Sequence, residues 1–154
     1  MTEGRAAAES ASCGLSDEDI RQEEAFLRGV PFLNVGALFM PPIWGVAHGD
    51  WICVLFYPAW LFCDNLFYAA YSAPSVLSVV LAVVCGLVLT AVTFVYARIS
   101  SPRSAHRAAA RGIARERYLR TERFWAVGMV ILGVIMIAAA TWYNLCIRST
   151  VPVG

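Results

Sequence analysis

SVLSVVLAVVCGLVLTAVTFVYA, residues 75–97, is a run of 23 residues without a charge. At ~1.5 Å per helical residue it is long enough to cross the ~30 Å hydrocarbon core of a bilayer. Pro74 stands just before it, near a helix start, where a missing N–H costs nothing. The whole chain agrees with a bilayer environment. It is 59% hydrophobic and 15% charged, whereas soluble domains carry about 25% charged residues to solvate their surface. A mean hydropathy of +0.62 leaves too little polar surface for water.

Outward from this run lie three more. Residues 124–147 (FWAVGMVILGVIMIAAATWYNLCI) predict a second clean span, with Trp142 and Tyr143 near its exit. Residues 51–71 (WICVLFYPAWLFCDNLFYAAY) carry Trp51 and Tyr71 at their ends, as interfacial aromatics do. Pro58 predicts a kink there. Residues 30–48 (VPFLNVGALFMPPIWGVAH) are long enough to span, but Pro41-Pro42 interrupts the middle. This predicts either a kinked span or a re-entrant hairpin shielded by other helices, and the paired prolines favour the hairpin. The expected fold is therefore all-α: a polytopic membrane helical bundle of three or four transmembrane helices, with a basic cytoplasmic helix between the last two.

The domain plan follows. Residues 1–29 form an acidic polar tail with a short helix, capped by Ser16, led by Asp17, Glu18 and Asp19, and stopped by Gly29 and Pro31. Residues 30–147 form the membrane domain, and 148–154 a short tail. The stretch before the first run is acidic rather than basic, so the apolar segments are expected to stay in the mature chain.

Charge is distributed unevenly. Residues 98–123 hold eight arginines against Glu116 and Glu122. Short Arg-rich loops stay cytoplasmic, which predicts that 98–123 lies inside. Ser101-Pro102 reads as a fresh helix start. Arg103, Arg107, Arg111 and Arg115, spaced by four, would cover one face of that helix and meet anionic lipid headgroups, at about 1 kcal/mol per arginine. No recognition motif or stacking aromatic accompanies them, so no nucleic-acid partner is expected.

Asp64, with Asn65 beside it, is the sharpest anomaly, because a carboxylate inside an apolar run is costly and tends to face the bundle interior. It predicts an intramembrane polar site of Asp64, Asn65 and Asn34, with Asn34, Tyr68 or Asn144 as hydrogen-bond partner. No span contains a lysine or arginine to pair with it. Such a site could serve a proton or cation, or pin helices together. Ser78, Ala82, Gly86 and Thr90 recur every fourth residue and predict a helix-packing stripe. His48 and Asp50 flank Gly49, and two ligands without a third do not make a metal site. The five cysteines show no metal-ligand or C-x-x-C spacing. No nucleophile–base constellation, phosphate loop or H-E-x-x-H helix is present, so no catalytic residue, cofactor or metal is expected.

Residues 33–52, LNVGALFMPPIWGVAHGDWI, carry Asn34, Gly36, Ala37, Pro42, Ile43, Trp44, Gly45, Gly49 and Trp51. This resembles a motif of small uncharacterised bacterial integral membrane proteins: Asn-x-Gly-Ala, four residues, Pro-Ile-Trp-Gly, then Gly-x-Trp. Val35 departs from it, since such proteins often carry an aromatic there. The resemblance covers about a fifth of the chain. It implies a bacterial plasma membrane and a shared membrane-embedded element, and it supplies no activity. The expected function is a non-enzymatic accessory or scaffold subunit whose partners are the lipid bilayer and another membrane protein or a second copy. The alternative is a small oligomeric transporter or channel component using Asp64.

Overall fold

The computed structural model describes residues 17–150. The first sixteen residues of the expected acidic tail, with the Ser16 cap, and the last four residues lie outside the described residues. Six α-helices follow in order: α1 (Asp17–Leu27), α2 (Val35–Phe39), α3 (Pro41–Ala47), α4 (Phe56–Ser72), α5 (Val76–Ala110) and α6 (Arg115–Trp142). A 3₁₀ turn, Trp51–Leu55, leads into α4, and a π turn, Tyr143–Ile147, with a 3₁₀ turn, Arg148–Thr150, extends α6. No strand occurs among the described residues, and the architecture is an all-α helical bundle.

Three helical stretches are long and apolar enough to cross a membrane: Trp51–Ser72, Val76–Ala110 and Arg115–Thr150. The first apolar run is not among them. Asn34 caps α2, its Oδ1 accepting from Ala37 N at 3.0 Å. Met40 leaves helical geometry (φ −138°, ψ 66°). Pro41 and Pro42 then occupy the first turn of α3, where the donors they lack are not needed. The chain therefore enters along α2, turns at Met40 and returns along α3. Gly36 makes this possible, because a Cβ there would lie 2.6 Å from Cδ1 of Trp44. Gly45 does the same on the return, where a Cβ would strike the Tyr96 hydroxyl and the Cys53 sulfur.

Several expectations are corrected. Pro58 sits in the first turn of α4, just after the 51–71 run passes from 3₁₀ to α geometry. Ser101-Pro102 does not start a helix, because α5 runs through it for 35 residues. At ~1.5 Å per residue that is ~52 Å, well beyond a bilayer core, so the arginines after Ala97 ride on the same rod as the span. Pro102 leaves the Arg98 carbonyl without its helical donor, and the hairpin docks beside that break: Asn34 N donates to Ala97 O at 3.1 Å, and Ser101 Oγ donates to Pro31 O. Helix α5 ends at Gly112 (φ +68°), with Gly112 N to Ala109 O at 2.9 Å and Ile113 N to Ala108 O at 3.0 Å, a Schellman closure. The four-residue arginine spacing is broken by that turn: Arg111 caps α5 and Arg115 opens α6.

The core sits at the hairpin. Ala37, Met40 and Trp44 pack with Ala97 of α5 and Met129 of α6, ringed by Trp60, Tyr96, Trp125 and Leu132. Helix α2 packs on both α5 and α6, which scarcely touch each other directly. A smaller cluster lies beyond it, where Phe26, Leu27 and Val30 cover Ala105, Ala108 and Tyr118. Helix α1 therefore lies on the same side of the bundle as the arginines.

Candidate functional site

The hairpin brings two side-chain donors and an imidazole to one carboxylate. Asn34 Nδ2 donates to Glu122 Oε2 at 2.8 Å, and Trp44 Nε1 donates to the same oxygen at 3.3 Å. His48 Nε2 lies 2.9 Å from Oε1, with the two side chains 16% and 12% exposed. The His48 ring stacks on Trp44 at 4.0 Å and meets the edge of Trp125 at 5.6 Å. Its Nδ1 lies 2.7 Å from the Trp44 carbonyl, and Arg107 donates to the His48 carbonyl. Asn34, Trp44 and His48 come from the two arms of the hairpin and Glu122 from the membrane entry of α6, so one carboxylate ties the motif to the bundle.

Glu122 was not singled out from the sequence, where it is one of two acids among eight arginines in 98–123. A signal was present. The hairpin carries Asn34, Trp44 and His48 and no side-chain acid of its own before Asp50, while Glu122 stands two residues before the run at 124–147.

The expected trio of Asp64, Asn65 and Asn34 is divided. Asn34 belongs to the hairpin, while Asp64 and Asn65 join the far end of α6. Asn144 Nδ2 donates to Asp64 Oδ1 at 2.7 Å. Arg148 lies 3.7 Å from Asp64 Oδ2, donates to Asn65 Oδ1 at 2.6 Å and to Asn144 Oδ1 at 3.3 Å, and covers the Tyr68 ring at 3.9 Å. The ion-pair partner absent from the apolar runs thus stands one residue past the run at 124–147. Asn144 and Arg148, four residues apart, share one helix face. Side-chain exposures of 38% for Asp64 and 29% for Arg148 make this an open brace rather than a sealed site.

In the small-residue stripe, Ala82 is buried and a Cβ at Gly86 would lie 3.0 Å from the Phe67 ring of α4. Ser78 serves the capping box with Ser75, and Thr90 is exposed and bonds back to Gly86 O. Of the four arginines, Arg107 turns inward to His48 and Arg115 donates to Arg28 O at 2.9 Å, while Arg103 and Arg111 remain exposed. His48 and Asp50 line one narrow cleft with Trp44, Ser100 and Arg107. Among the described residues, no three His, Cys, Asp or Glu side chains gather as a metal set. A shallow, open groove of about 280 Å³ runs along α6 between Thr121, Phe124, Trp125, Gly128 and Met129.

The chain matches no family model, no curated protein and no solved structure.

Proposed function

We propose that this protein is a non-enzymatic accessory or scaffold subunit of a bacterial plasma membrane, with the arginine-rich turn between α5 and α6 on the cytoplasmic side. The observation that carries this reading is the division of packing. The most apolar windows of the three spanning stretches are only 17%, 6% and 11% buried within the chain, while the closely packed core is spent on holding the hairpin. Long apolar faces left open in this way suit association with lipid and with other membrane helices.

Orientation rests on the excess of arginine. With three crossings, α1 and the hairpin share the cytoplasmic side with the arginines, and the C-terminus lies outside. Exposed Arg103 and Arg111 are placed to meet anionic headgroups.

The test is copurification of the tagged protein in mild detergent from its host, with native mass determination. A reproducible stoichiometric companion supports the accessory reading, and a chain recovered alone as a monomer overturns it. A second reading is favoured by the partial exposure of Asp64: a transporter or channel component using that carboxylate. Asp64→Asn would then abolish a pH-dependent flux in vesicles while leaving expression intact. If flux is absent or unchanged, Asp64 is a brace only.

A further inference from the structure

We infer that α6 carries a site for one anionic phospholipid, with the phosphate at Arg117 and Arg120 and an acyl chain in the groove over Gly128. The site begins where α6 enters the apolar run. Residues 117, 121, 124 and 128 follow at spacings of four, three and four, so they stand on one helix face. Thr121, Phe124, Trp125, Gly128 and Met129 line an open groove of about 280 Å³. Thr121 brings the one side-chain hydroxyl there, and it donates to Arg117 O at 2.9 Å. The rest of the lining is carbon-rich. The inner wall is fixed, because Met129 is buried against the hairpin and Trp125 packs beside it. The floor is bare, because Gly128 has no side chain and a Cβ there would meet nothing within 4 Å.

Depth decides what fills the groove. It opens at the start of the run at 124–147, at the level where aromatic side chains border a bilayer. An apolar slot does not hold water, so hydrocarbon is the filling that this environment supplies. The same face continues as Ile131 and Ile135, 55% and 56% exposed, a track along which the rest of a chain can lie.

Charge decides the headgroup. Arg117 and Arg120 stand one turn before Thr121 and Phe124. Both are exposed, and neither guanidinium is engaged by another described residue. Arg107 and Arg115, by contrast, are spent on the His48 and Arg28 carbonyls. Glu122 is taken up by Asn34 and Trp44. Glu116, one turn before Arg120, lies about 100° around the helix from Arg117 and about 140° from Thr121, away from the groove. Two guanidiniums at the groove mouth suit a phosphodiester, which they hold through paired N–H donors, and they repel the ammonium of a zwitterionic lipid. Arg117 stands about 6 Å along the axis before Thr121, which leaves room for the glycerol between phosphate and chain. The site rests on the bilayer around α6 and not on the accessory-subunit reading.

Trp125 lines the groove and supplies the reporter. Its fluorescence is the difference between the chain and a Trp125→Phe chain, in vesicles mixing phosphatidylglycerol with phosphatidylcholine. Brominated acyl chains, which quench an indole on contact, are carried by one lipid in one set and by the other lipid in the second. Quenching titrations then give the preference of the groove. Phosphatidylglycerol is expected to be favoured at least about fivefold, and Arg117→Gln with Arg120→Gln to remove that preference. Arg103→Gln with Arg111→Gln, away from the groove, is expected to keep it. Gly128→Leu fills the slot and is expected to lower quenching by both lipids at an unchanged thermal midpoint. Equal quenching by the two lipids overturns the site, as does a preference lost equally in both arginine pairs, which marks a general attraction of charged lipid to the surface. Full quenching in the Gly128→Leu chain overturns the seat of the acyl chain. Absence of quenching by either lipid overturns the proposal as well, and shows the groove covered by another helix.

Discussion

Two carboxylates stand at opposite ends of this bundle, and their surroundings differ in kind. Glu122 is 12% exposed, lies beside His48, and accepts from the Asn34 and Trp44 side chains. Asp64 is 38% exposed and shares its bonds with Asn144 and with an arginine that also serves Asn65 and a tyrosine face. Around Glu122 the protein has replaced water, and around Asp64 it has only supplemented it. A charge that has lost its water depends on every partner it has left, whereas a half-exposed pair falls back on solvent. The acid that is anomalous in the sequence therefore carries the smaller structural load.

The largest expected effect tests that contrast directly. Glu122→Ala strands the Asn34 and Trp44 donors and should destabilise the bundle by about 3–5 kcal/mol, read as a large fall in thermal midpoint or loss of monodisperse protein in detergent. An effect no greater than that of Asp64→Ala would erase the distinction between the two ends. Next, Gly45→Ala pushes a methyl group against Cys53 and the Tyr96 hydroxyl. A loss of about 1–3 kcal/mol is expected, while Gly128→Ala on the same scale should be close to neutral, since nothing lies within 4 Å of its Cβ position.

Smaller again is Ser104→Ala, which removes the 2.7 Å bond to the buried Tyr118 hydroxyl. It should cost about 1–2 kcal/mol and speed protease cleavage around Gly29, because Phe26 of α1 leans on the Tyr118 ring at 5.8 Å. The smallest effect is expected at the outer brace. A double-mutant cycle of Asp64→Asn with Arg148→Gln should give a coupling of about 0.2–1 kcal/mol. A coupling several times larger would show Asp64 to be desolvated and would bring the two ends of the molecule level.

Much of this arrangement was legible before any coordinates. The charge-free run at 75–97 and the aromatic-ended runs at 51–71 and 124–147 correspond to the three membrane-length stretches, because length and apolarity alone decide whether a segment suits a bilayer. Pro41-Pro42 marked the reversal, since two missing donors leave few places for that pair other than a helix start. The boundary at Ser101-Pro102 misled for a related reason. A proline inside a helix is tolerated where other groups dock at the break, and here the docking groups, Pro31 and Asn34, lie some seventy residues earlier in the chain.

Composition and spacing by themselves determined the solvent, the helical class, the apolar segments and the position of the reversal, because each depends on residues next to one another. Only the tertiary structure decided which charge is buried, that Asn34 parts from Asp64 to meet Glu122, and that Arg148 supplies the counter-charge missing from the spans. The pairings Asn34–Glu122, Asp64–Asn144 and Asn65–Arg148 join residues 88, 80 and 83 positions apart. A side chain far along the chain reaches its partner only when the hairpin has folded back and α6 has packed against it, so the choice among several available donors and acceptors is made by packing.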